Sequence, residues 1–189
     1  IIMGFAAVLS MAYYVNLMSA ALLLVTILYY VFVYTVWLKR LTPQNVVIGG
    51  VSGALPPVVG WASVTGSIDS GALSLFLIIF LWTPPHSWAL ALYRRGDYEA
   101  AGVPMLPVAA GVQATKRQMT YYTALLLPVT LIPVAIGLSG MVYAVVALIF
   151  ALGFAFHSRR LWHAPDSVIT QVSKSNPARG LFFFSIQYL

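Results

Sequence analysis

Seven long apolar segments make up most of this chain and leave little room for charged residues. They lie at about 1–15, 18–38, 46–65, 71–92, 119–137, 140–157 and 180–189. A helix needs about 20 mostly apolar residues to cross a hydrocarbon layer of roughly 30 Å. Only 7% of the residues are charged, whereas soluble domains carry about 25%. The sequence therefore predicts an all-α, polytopic transmembrane helical bundle with about seven spans.

We expect these spans to form one domain, residues 1–189, that is truncated at both ends. The chain starts at Ile1 inside one apolar segment and stops at Leu189 inside another. The segments are too long and too evenly apolar for barrel strands, which alternate over about ten residues. The chain has no cysteine, so it carries no disulfide or thiol chemistry.

The positive charges follow a one-sided pattern. All ten Lys and Arg residues fall in the loops predicted at 39–45, 93–117 and 158–179. They are Lys39, Arg40, Arg94, Arg95, Lys116, Arg117, Arg159, Arg160, Lys174 and Arg179. Because cytoplasmic loops carry an excess of Lys and Arg, we expect these loops in the cytoplasm or a mitochondrial matrix. The net charge of +6 is thus interpreted as a topology signal in a lipid bilayer and not as a nucleic-acid site.

Two proline pairs lie inside predicted spans. A proline lacks an N–H and clashes with the carbonyl four residues before it, so Pro56-Pro57 and Pro84-Pro85 should bend both helices and free carbonyl groups. Bent backbone at membrane depth can line a cavity or serve as a packing kink, and the doubled prolines favour a cavity. Gly49 and Gly53 form a small-xxx-small pair that favours close helix packing.

His86 lies inside a span, on the helical face shared by Trp82, Ala89 and Tyr93. Polar residues within spans usually face the bundle interior and often mark function. One interpretation is a haem contact through the neutral imidazole. The other is a histidine that is hydrogen-bonded to a carbonyl freed by the proline pair.

The loop predicted at 93–117 is rich in charged residues. Ordinary helix pairing would join Arg94 to Asp97 and Arg95 to Glu99. A diphosphate site is the alternative, because Mg²⁺ is usually held by one or two carboxylates plus phosphate oxygens. Arg and Lys would neutralise the remaining phosphate charge.

Several motifs in sequence order carry a resemblance to a known family. They are Tyr34-Thr35-Val36-Trp37-Leu38-Lys39-Arg40 with Thr42-Pro43-Gln44-Asn45, Pro56-Pro57-Val58-Val59-Gly60-Trp61, Trp82-Thr83-Pro84-Pro85-His86-Ser87-Trp88, and Asp97-Tyr98 followed by Ala101-Gly102-Val103-Pro104-Met105-Leu106-Pro107. The chain thereby resembles the protohaem IX farnesyltransferase (haem O synthase) family of the intramembrane UbiA-type prenyltransferases. The resemblance is strongest over residues 28–120.

The resemblance implies a fold of nine transmembrane helices, of which this chain would supply helices 3 to 9. The family's first Asp-rich loop, between helices 2 and 3, would lie outside the chain. The wider superfamily often has a second Asp four residues after the first in the later motif, where this chain has Ala101.

The implied reaction transfers a farnesyl group from farnesyl diphosphate to a vinyl group of protohaem IX (haem B), giving haem O for haem A and cytochrome oxidase assembly. Mg²⁺ is the implied cofactor, and haem B is a substrate. Implied partners are the bilayer and haem A synthase or oxidase assembly factors. The implied location is the bacterial cytoplasmic membrane, or the mitochondrial inner membrane, with the active-site loops on the cytoplasmic or matrix side.

The same resemblance assigns roles to residues. Asp97, Lys116 and Arg117 are predicted to be catalytic, with Asp97 as the metal ligand. The predicted diphosphate-binding residues are Lys39, Arg40, Arg94, Arg95, Lys116 and Arg117. The predicted substrate-pocket residues are Tyr34, Asn45, Trp61, Trp82, His86, Trp88 and Tyr98.

Three alternatives stay open on the sequence alone. The first is a prenyltransferase of the same superfamily with a quinone precursor as its acceptor, although Pro84-Pro85-His86 favours the haem branch. The second is a transporter, in which broken helices and intramembrane histidines are common. The third is an accessory membrane subunit without chemistry.

Overall fold

The computed structural model describes residues 2–173 and 175–189, and within them every regular element is a helix. This confirms the all-α prediction. The helices are α1 Ile2–Tyr14, α2 Leu17–Leu28 with a π-helical continuation Tyr29–Leu38, α3 Asn45–Ala54, α4 Pro56–Thr65, α5 Ser70–Tyr93, α6 Arg95–Ala100, α7 Leu106–Ala109, α8 Gly111–Val129, α9 Ile132–Ala135, α10 Met141–His163, α11 Asp166–Ile169 and α12 Pro177–Tyr188.

Five helical stretches in the described residues are long and apolar enough to cross a membrane, so the chain is an integral membrane protein. They are Leu17–Leu38, Asn45–Thr65, Ser70–Tyr93, Gly111–Ala135 and Met141–His163. The first and last of the seven predicted segments form shorter helices, α1 and α12. Lys174, one of the basic residues used for the topology prediction, lies outside the described residues.

Two predicted loops are partly helical. α8 begins at Gly111 rather than near residue 119, so Lys116 and Arg117 lie on a helix. α10 continues to His163 and carries Arg159 and Arg160 on its last turns. Hydropathy marks where a chain becomes polar, but an amphipathic helix can continue beyond that point above the membrane.

The two proline pairs act differently. The first separates α3 from α4 at Leu55, and Pro56 and Pro57 occupy the first turn of α4, where a missing N–H costs nothing. The second lies inside α5, which continues as one helix from Ser70 to Tyr93. The first pair therefore breaks its helix, whereas the second is accommodated without a break.

α5 is the central helix and packs against α3, α4, α8 and α12. The fully buried core includes Trp88, Leu92, Met119, Phe154 and Leu181. Since consecutive spans alternate in direction, the start of α3, the end of α5, the start of α8 and the end of α10 lie at one end of the bundle. We call this end the loop face.

Candidate functional site

A cavity of about 480 Å³ opens between the π-helical segment, α3, α5 and α6 at the loop face. We call it the mouth cavity. Its lining residues are Tyr34, Lys39, Asn45, Val46, His86, Ser87, Leu90, Asp97, Tyr98, Ala101, Val103 and Met105. Six residues that the sequence assigns to the site therefore meet here: Tyr34, Lys39, Asn45, His86, Asp97 and Tyr98.

The short helix α6 brings Asp97 and Tyr98 to the mouth cavity. α6 begins at Arg95, directly after α5 ends, and Gly102 reverses the chain with a φ of 63°. The reversal is closed by the Val103 N–H, which donates to the Tyr98 carbonyl at 3.0 Å. Glycine is the usual residue in this left-handed conformation after a helix end, because it has no Cβ that would clash there. Val103 then joins the lining.

Asn45 lies at the start of α3 and is 1% exposed. Its Nδ2 donates to the Lys39 carbonyl at 3.1 Å. Its Oδ1 has no hydrogen-bond partner among the described residues. Because an unsatisfied buried acceptor costs about 1–3 kcal/mol, this amide oxygen is a candidate contact for a ligand in the mouth cavity.

His86 lies between two aromatic rings. Trp82 stacks on it with centroids 4.1 Å apart, and Phe182 of α12 lies 4.7 Å away. Its Nδ1 is 2.7 Å from the Ser185 hydroxyl. The sequence-based alternative, a histidine bonded to a carbonyl freed by the prolines, is therefore wrong about the partner of Nδ1.

Tyr98 is half-buried at the outer part of the cavity. Burial raises the pKa of its phenol, and the neighbouring Tyr93 and Asp97 raise it further. The hydroxyl thus stays neutral at ordinary pH and can donate a hydrogen bond into the cavity.

Of the predicted cationic residues, Lys39 is the one that lines the mouth cavity. Arg94 pairs with Asp97, with Nη1 3.1 Å from Oδ2, and both side chains are exposed. Arg40 and Arg117 are also exposed. The alternative pair of Arg95 with Glu99 is not among the ion pairs of the described residues, and Arg95 is not part of the lining.

The prediction that Lys116 is a catalytic, diphosphate-binding residue is not supported by its position. Lys116 is 2% exposed, and its Nζ donates to Asp166 Oδ1 at 2.9 Å and to the Ala164 carbonyl at 2.7 Å. Gln113 donates to the same Asp166 oxygen at 3.0 Å. This ammonium joins α8 to the segment after α10 and is not directed to Asp97.

The three predicted pocket tryptophans have separate positions. Trp61 lies at the opposite end of the bundle, where its Nε1 donates to Asp69 Oδ2 at 3.0 Å beside the N-terminus of α5. Trp88 is fully buried in the core against Tyr122. Trp82 contacts the site through its stacking on His86. Trp61 and Trp88 are therefore not part of the lining of the mouth cavity.

A second cavity of about 490 Å³ lies next to the mouth cavity, and the sequence does not predict it. We call it the inner groove. It is lined by Thr26, Ile27, Tyr30, Val31, Tyr34, Val46, Gly49, Gly50, Ser52, Gly53, Thr83 and Ser87. The two cavities share Tyr34, Val46 and Ser87. From Val46 to Gly53 the groove follows α3 for about 10 Å, at about 1.5 Å per residue.

The glycines of α3 are the sequence signal that could have indicated the groove. The Tyr34 ring lies against Gly49 and leaves no space for a Cβ, whereas Gly53 has open space around its Cα. The predicted close helix packing is therefore seen at Gly49, against the preceding helical segment, whereas Gly53 lines the groove.

The residues of the mouth cavity fit a magnesium ion that is held mainly by its substrate. The described residues contain no group of three or more His, Cys, Asp or Glu side chains placed to hold a metal. Asp97 and Asn45 both line this cavity and both carry side-chain oxygens, and Asn45 Oδ1 has no hydrogen-bond partner among the described residues. Mg²⁺ commonly takes only one or two protein oxygens beside phosphate oxygens and water.

The sequence of this chain was compared with those of known proteins, and relatives with a shared name were found. A protein from Parvibaculum lavamentivorans named protoheme IX farnesyltransferase is 50% identical over 97% of this chain and 56% of its own length. Proteins of the same name from Brucella suis and Rhizobium rhizogenes are 49% and 52% identical, over 97% and 93% of this chain and 57% and 54% of their own lengths.

The chain thus spans little more than half the length of the curated relatives it matches. No solved structure matches it. The family model described as the UbiA prenyltransferase family matches residues 1–186. This match favours the prenyltransferase interpretation over the transporter. The chain belongs to the UbiA prenyltransferase family.

Proposed function

We propose that this chain is the cavity-bearing part of a protohaem IX farnesyltransferase. The enzyme would transfer the farnesyl group of farnesyl diphosphate to a vinyl group of protohaem IX and so make haem O. The relatives of that name support the substrates. The observation that carries the proposal is that the mouth cavity and the inner groove are adjacent and share Tyr34, Val46 and Ser87 in their linings.

The mouth cavity carries charged and polar groups and the inner groove is mainly apolar, which matches the charged diphosphate and the hydrocarbon tail of an allylic diphosphate. The mouth cavity holds Lys39, Asp97 and the free oxygen of Asn45. The inner groove is lined mainly by apolar and small side chains such as Ile27, Val31 and Gly53. A diphosphate in the mouth cavity would thus place its prenyl tail in the groove.

Asp97 and Asn45 are the residues that would hold a magnesium ion, and Lys39 would bind the diphosphate directly. Bound Mg²⁺ neutralises phosphate charge and so makes diphosphate a better leaving group. The C–O bond of farnesyl diphosphate breaks and diphosphate leaves, the vinyl group of the haem forms the new C–C bond, and water adds to the resulting cation with release of a proton. The apolar groove keeps other water from the allylic carbon.

His86 and Tyr98 line the same mouth cavity as the diphosphate residues of this proposal. We place the haem there, with the ring edge of His86 towards the iron and the neutral phenol of Tyr98 as a hydrogen-bond donor. The basic loop face would then lie on the cytoplasmic side of a bacterial membrane, where positively charged loops are retained.

The test uses a chimera in which this chain replaces the matching segment of the Parvibaculum lavamentivorans relative. Asp97→Ala should lower haem O formation about 100-fold or more, because a charged group that supports the leaving group is lost. Glu99→Ala, an exposed acid on the same short helix, is the matched control and should stay within about twofold of the parent.

Product formation is measured by mass spectrometry with farnesyl diphosphate, Mg²⁺ and protohaem in vesicles. Full activity of Asp97→Ala would refute the metal role of this carboxylate. A parent chimera that prenylates a hydroxybenzoate but not protohaem would replace the proposed acceptor with a quinone precursor.

A further inference from the structure

Ser185 of α12 contacts the site from outside the cavity lining. It is fully buried and lies 99 residues after His86 in sequence. Its carbonyl accepts a hydrogen bond from Trp82 Nε1 at 2.8 Å, and its hydroxyl lies 2.7 Å from His86 Nδ1. One residue of α12 therefore holds two aromatic side chains on successive turns of α5.

The hydroxyl hydrogen of Ser185 is already used. Ser185 Oγ donates to the Phe182 carbonyl at 2.5 Å, and a carbonyl oxygen can only accept. Towards His86, Oγ is therefore the acceptor, and the shared hydrogen belongs to Nδ1. In a neutral imidazole one nitrogen carries the hydrogen and the other the lone pair. The lone pair of His86 is consequently on Nε2.

The surroundings of the ring leave one edge free. Trp82 covers one face at 4.1 Å with 18° between the planes, and Phe182 covers the other at 4.7 Å with 28°. Ser185 occupies the Nδ1 edge, and His86 is part of the lining of the mouth cavity. The Nε2 edge is the part of the ring that remains for a ligand in that cavity.

We propose that Ser185 is a positioning residue that fixes His86 as the Nδ1–H tautomer and so presents the Nε2 lone pair to the haem iron. The haem part rests on the proposed function. Histidines that bind metals usually donate their other ring N–H to a fixed acceptor, and loss of that acceptor commonly weakens metal affinity about 10–100-fold.

The tautomer is tested on the chain itself, without a ligand. Nitrogen NMR of the ¹⁵N-histidine-labelled chain in lipid nanodiscs should show a protonated Nδ1 and a bare Nε2 for His86. The signal is assigned by its absence in His86→Gln. In Ser185→Ala the His86 signal should show a mixture of the Nδ1–H and Nε2–H tautomers. Ser185→Thr, which keeps a hydroxyl, should restore the Nδ1–H tautomer. A parent chain with hydrogen on Nε2, or an unchanged Ser185→Ala, would overturn the proposal.

Ser74→Ala is the matched control. Ser74 is 1% exposed on α5, and its Oγ donates to the carbonyl three residues before it at 2.7 Å, as that of Ser185 does. It removes the same hydroxyl from a buried helix site and should leave the His86 signal unchanged. If Ser74→Ala changed the His86 nitrogen signal as much as Ser185→Ala does, the change would reflect a general loss of packing. That result would contradict the positioning role of Ser185.

The chimera tests the haem contact separately. Ferric protohaem should bind with an imidazole-ligated absorption spectrum, and Ser185→Ala should weaken its affinity about 10–100-fold. An altered tautomer with unchanged haem affinity would overturn the positioning role. A parent chimera that does not bind haem through histidine would refute the haem site of the proposed function, while the tautomer result would stand.

Discussion

Tyr34 shows how one side chain sets the shape of the whole site. Its ring lies against Gly49 of α3, lines both cavities and packs 5.3 Å from the Tyr30 ring. Tyr34 lies within the π-helical turns Tyr29–Leu38, and the Lys39 N–H donates to the Tyr34 carbonyl five residues back. π-Helical turns are rare and are frequent at functional sites. The position of Tyr34 thus depends on both its own helix and a glycine on the next.

Gly49→Ala should be destabilising, although alanine is normally the better helix residue. The new methyl group would overlap the Tyr34 ring, and overpacking costs about 1–3 kcal/mol. Thermal unfolding in detergent should show a lower midpoint. Gly60→Ala is the control, because a methyl group added to Gly60 of α4 would meet no atom within 4 Å, and its midpoint should stay the same or rise. Equal midpoints for both variants would disagree with the close contact.

Residue patterns predicted part of the site and missed the contacts between distant residues. Asp97, Lys39, Asn45 and His86 were found from charge, polarity within a span and motif. A one-dimensional pattern cannot show that the Lys116 ammonium is buried on Asp166, fifty residues away. It also cannot show that Ser185 lies against His86, because a serine in an apolar helix has no periodic or charge signal.

At the scale of the elements, polar side chains fasten the segments at the loop face. Lys116 joins α8 to Asp166 at the start of α11. Asn176 is 1% exposed, and its Nδ2 donates to the carbonyls of Ile169 and Gln171, each at 2.6 Å. Its Oδ1 accepts from the Ala178 N–H and so caps α12. These bonds fix where α12, and with it Ser185, begins.

Asp166→Ala should lower the stability of the fold by about 1–3 kcal/mol near neutral pH, since it leaves a buried ammonium with one acceptor fewer. The hydrogen bond from Lys116 holds the pKa of Asp166 below its ordinary value. The ion pair therefore stabilises the fold above the ordinary carboxyl pKa of about 3.9, and this stability is lost as the pH falls through the lowered pKa.

Thermal midpoints in detergent between about pH 7 and about pH 3 check this prediction. The difference between the parent and Asp166→Ala should shrink as the solution becomes more acidic. Glu99→Ala, which removes an exposed acid, should keep a nearly constant difference. If the midpoint difference between the parent and Asp166→Ala widened on acidification, its pH dependence would be opposite to that expected for a lowered carboxyl pKa. That result would contradict the stabilising ion pair of Lys116 and Asp166.

The Asn176 side chain donates to two carbonyls and also caps α12, and substitutions can separate these two roles. Asn176→Ser keeps an oxygen that can cap α12 and loses the amide that donates to the two carbonyls, whereas Asn176→Ala loses both. Loss of a helix cap costs about 0.5–2 kcal/mol, so the alanine variant should have the lower unfolding midpoint. If the two variants are equally stable, the cap contributes nothing measurable.

At the scale of the whole molecule, the described basic residues are gathered at one end of the bundle, on or beside α3, α6, α8, α10 and α12. The opposite end carries the turn at 66–69, where Gly66 has a φ of 71° and Asp69 caps α5. The all-helical class and the five long apolar helices of the described residues were predictable because hydropathy is additive along a chain. Helix ends were less predictable because they depend on capping and packing.

The absence of cysteine from the sequence makes the orientation directly testable. Glu99→Cys on α6 and Ser67→Cys in the opposite turn place single thiols at exposed positions. In intact cells, a membrane-impermeant maleimide should label Ser67→Cys and leave Glu99→Cys unlabelled until the membrane is permeabilised. The reverse labelling pattern would show that the chain has the opposite orientation in the membrane.

The wall shared by the mouth cavity and the inner groove has an evolutionary consequence. Tyr34, Val46 and Ser87 border both compartments, so a mutation at any of them alters the room in both in a single step. Under the proposed function, a descendant that accepts a longer isoprenoid while keeping its acceptor would vary at positions bordering one compartment alone, such as Thr26, Ile27 or Gly53. Divergence of donor length within such a lineage should thus be recorded along α2 and the far half of α3.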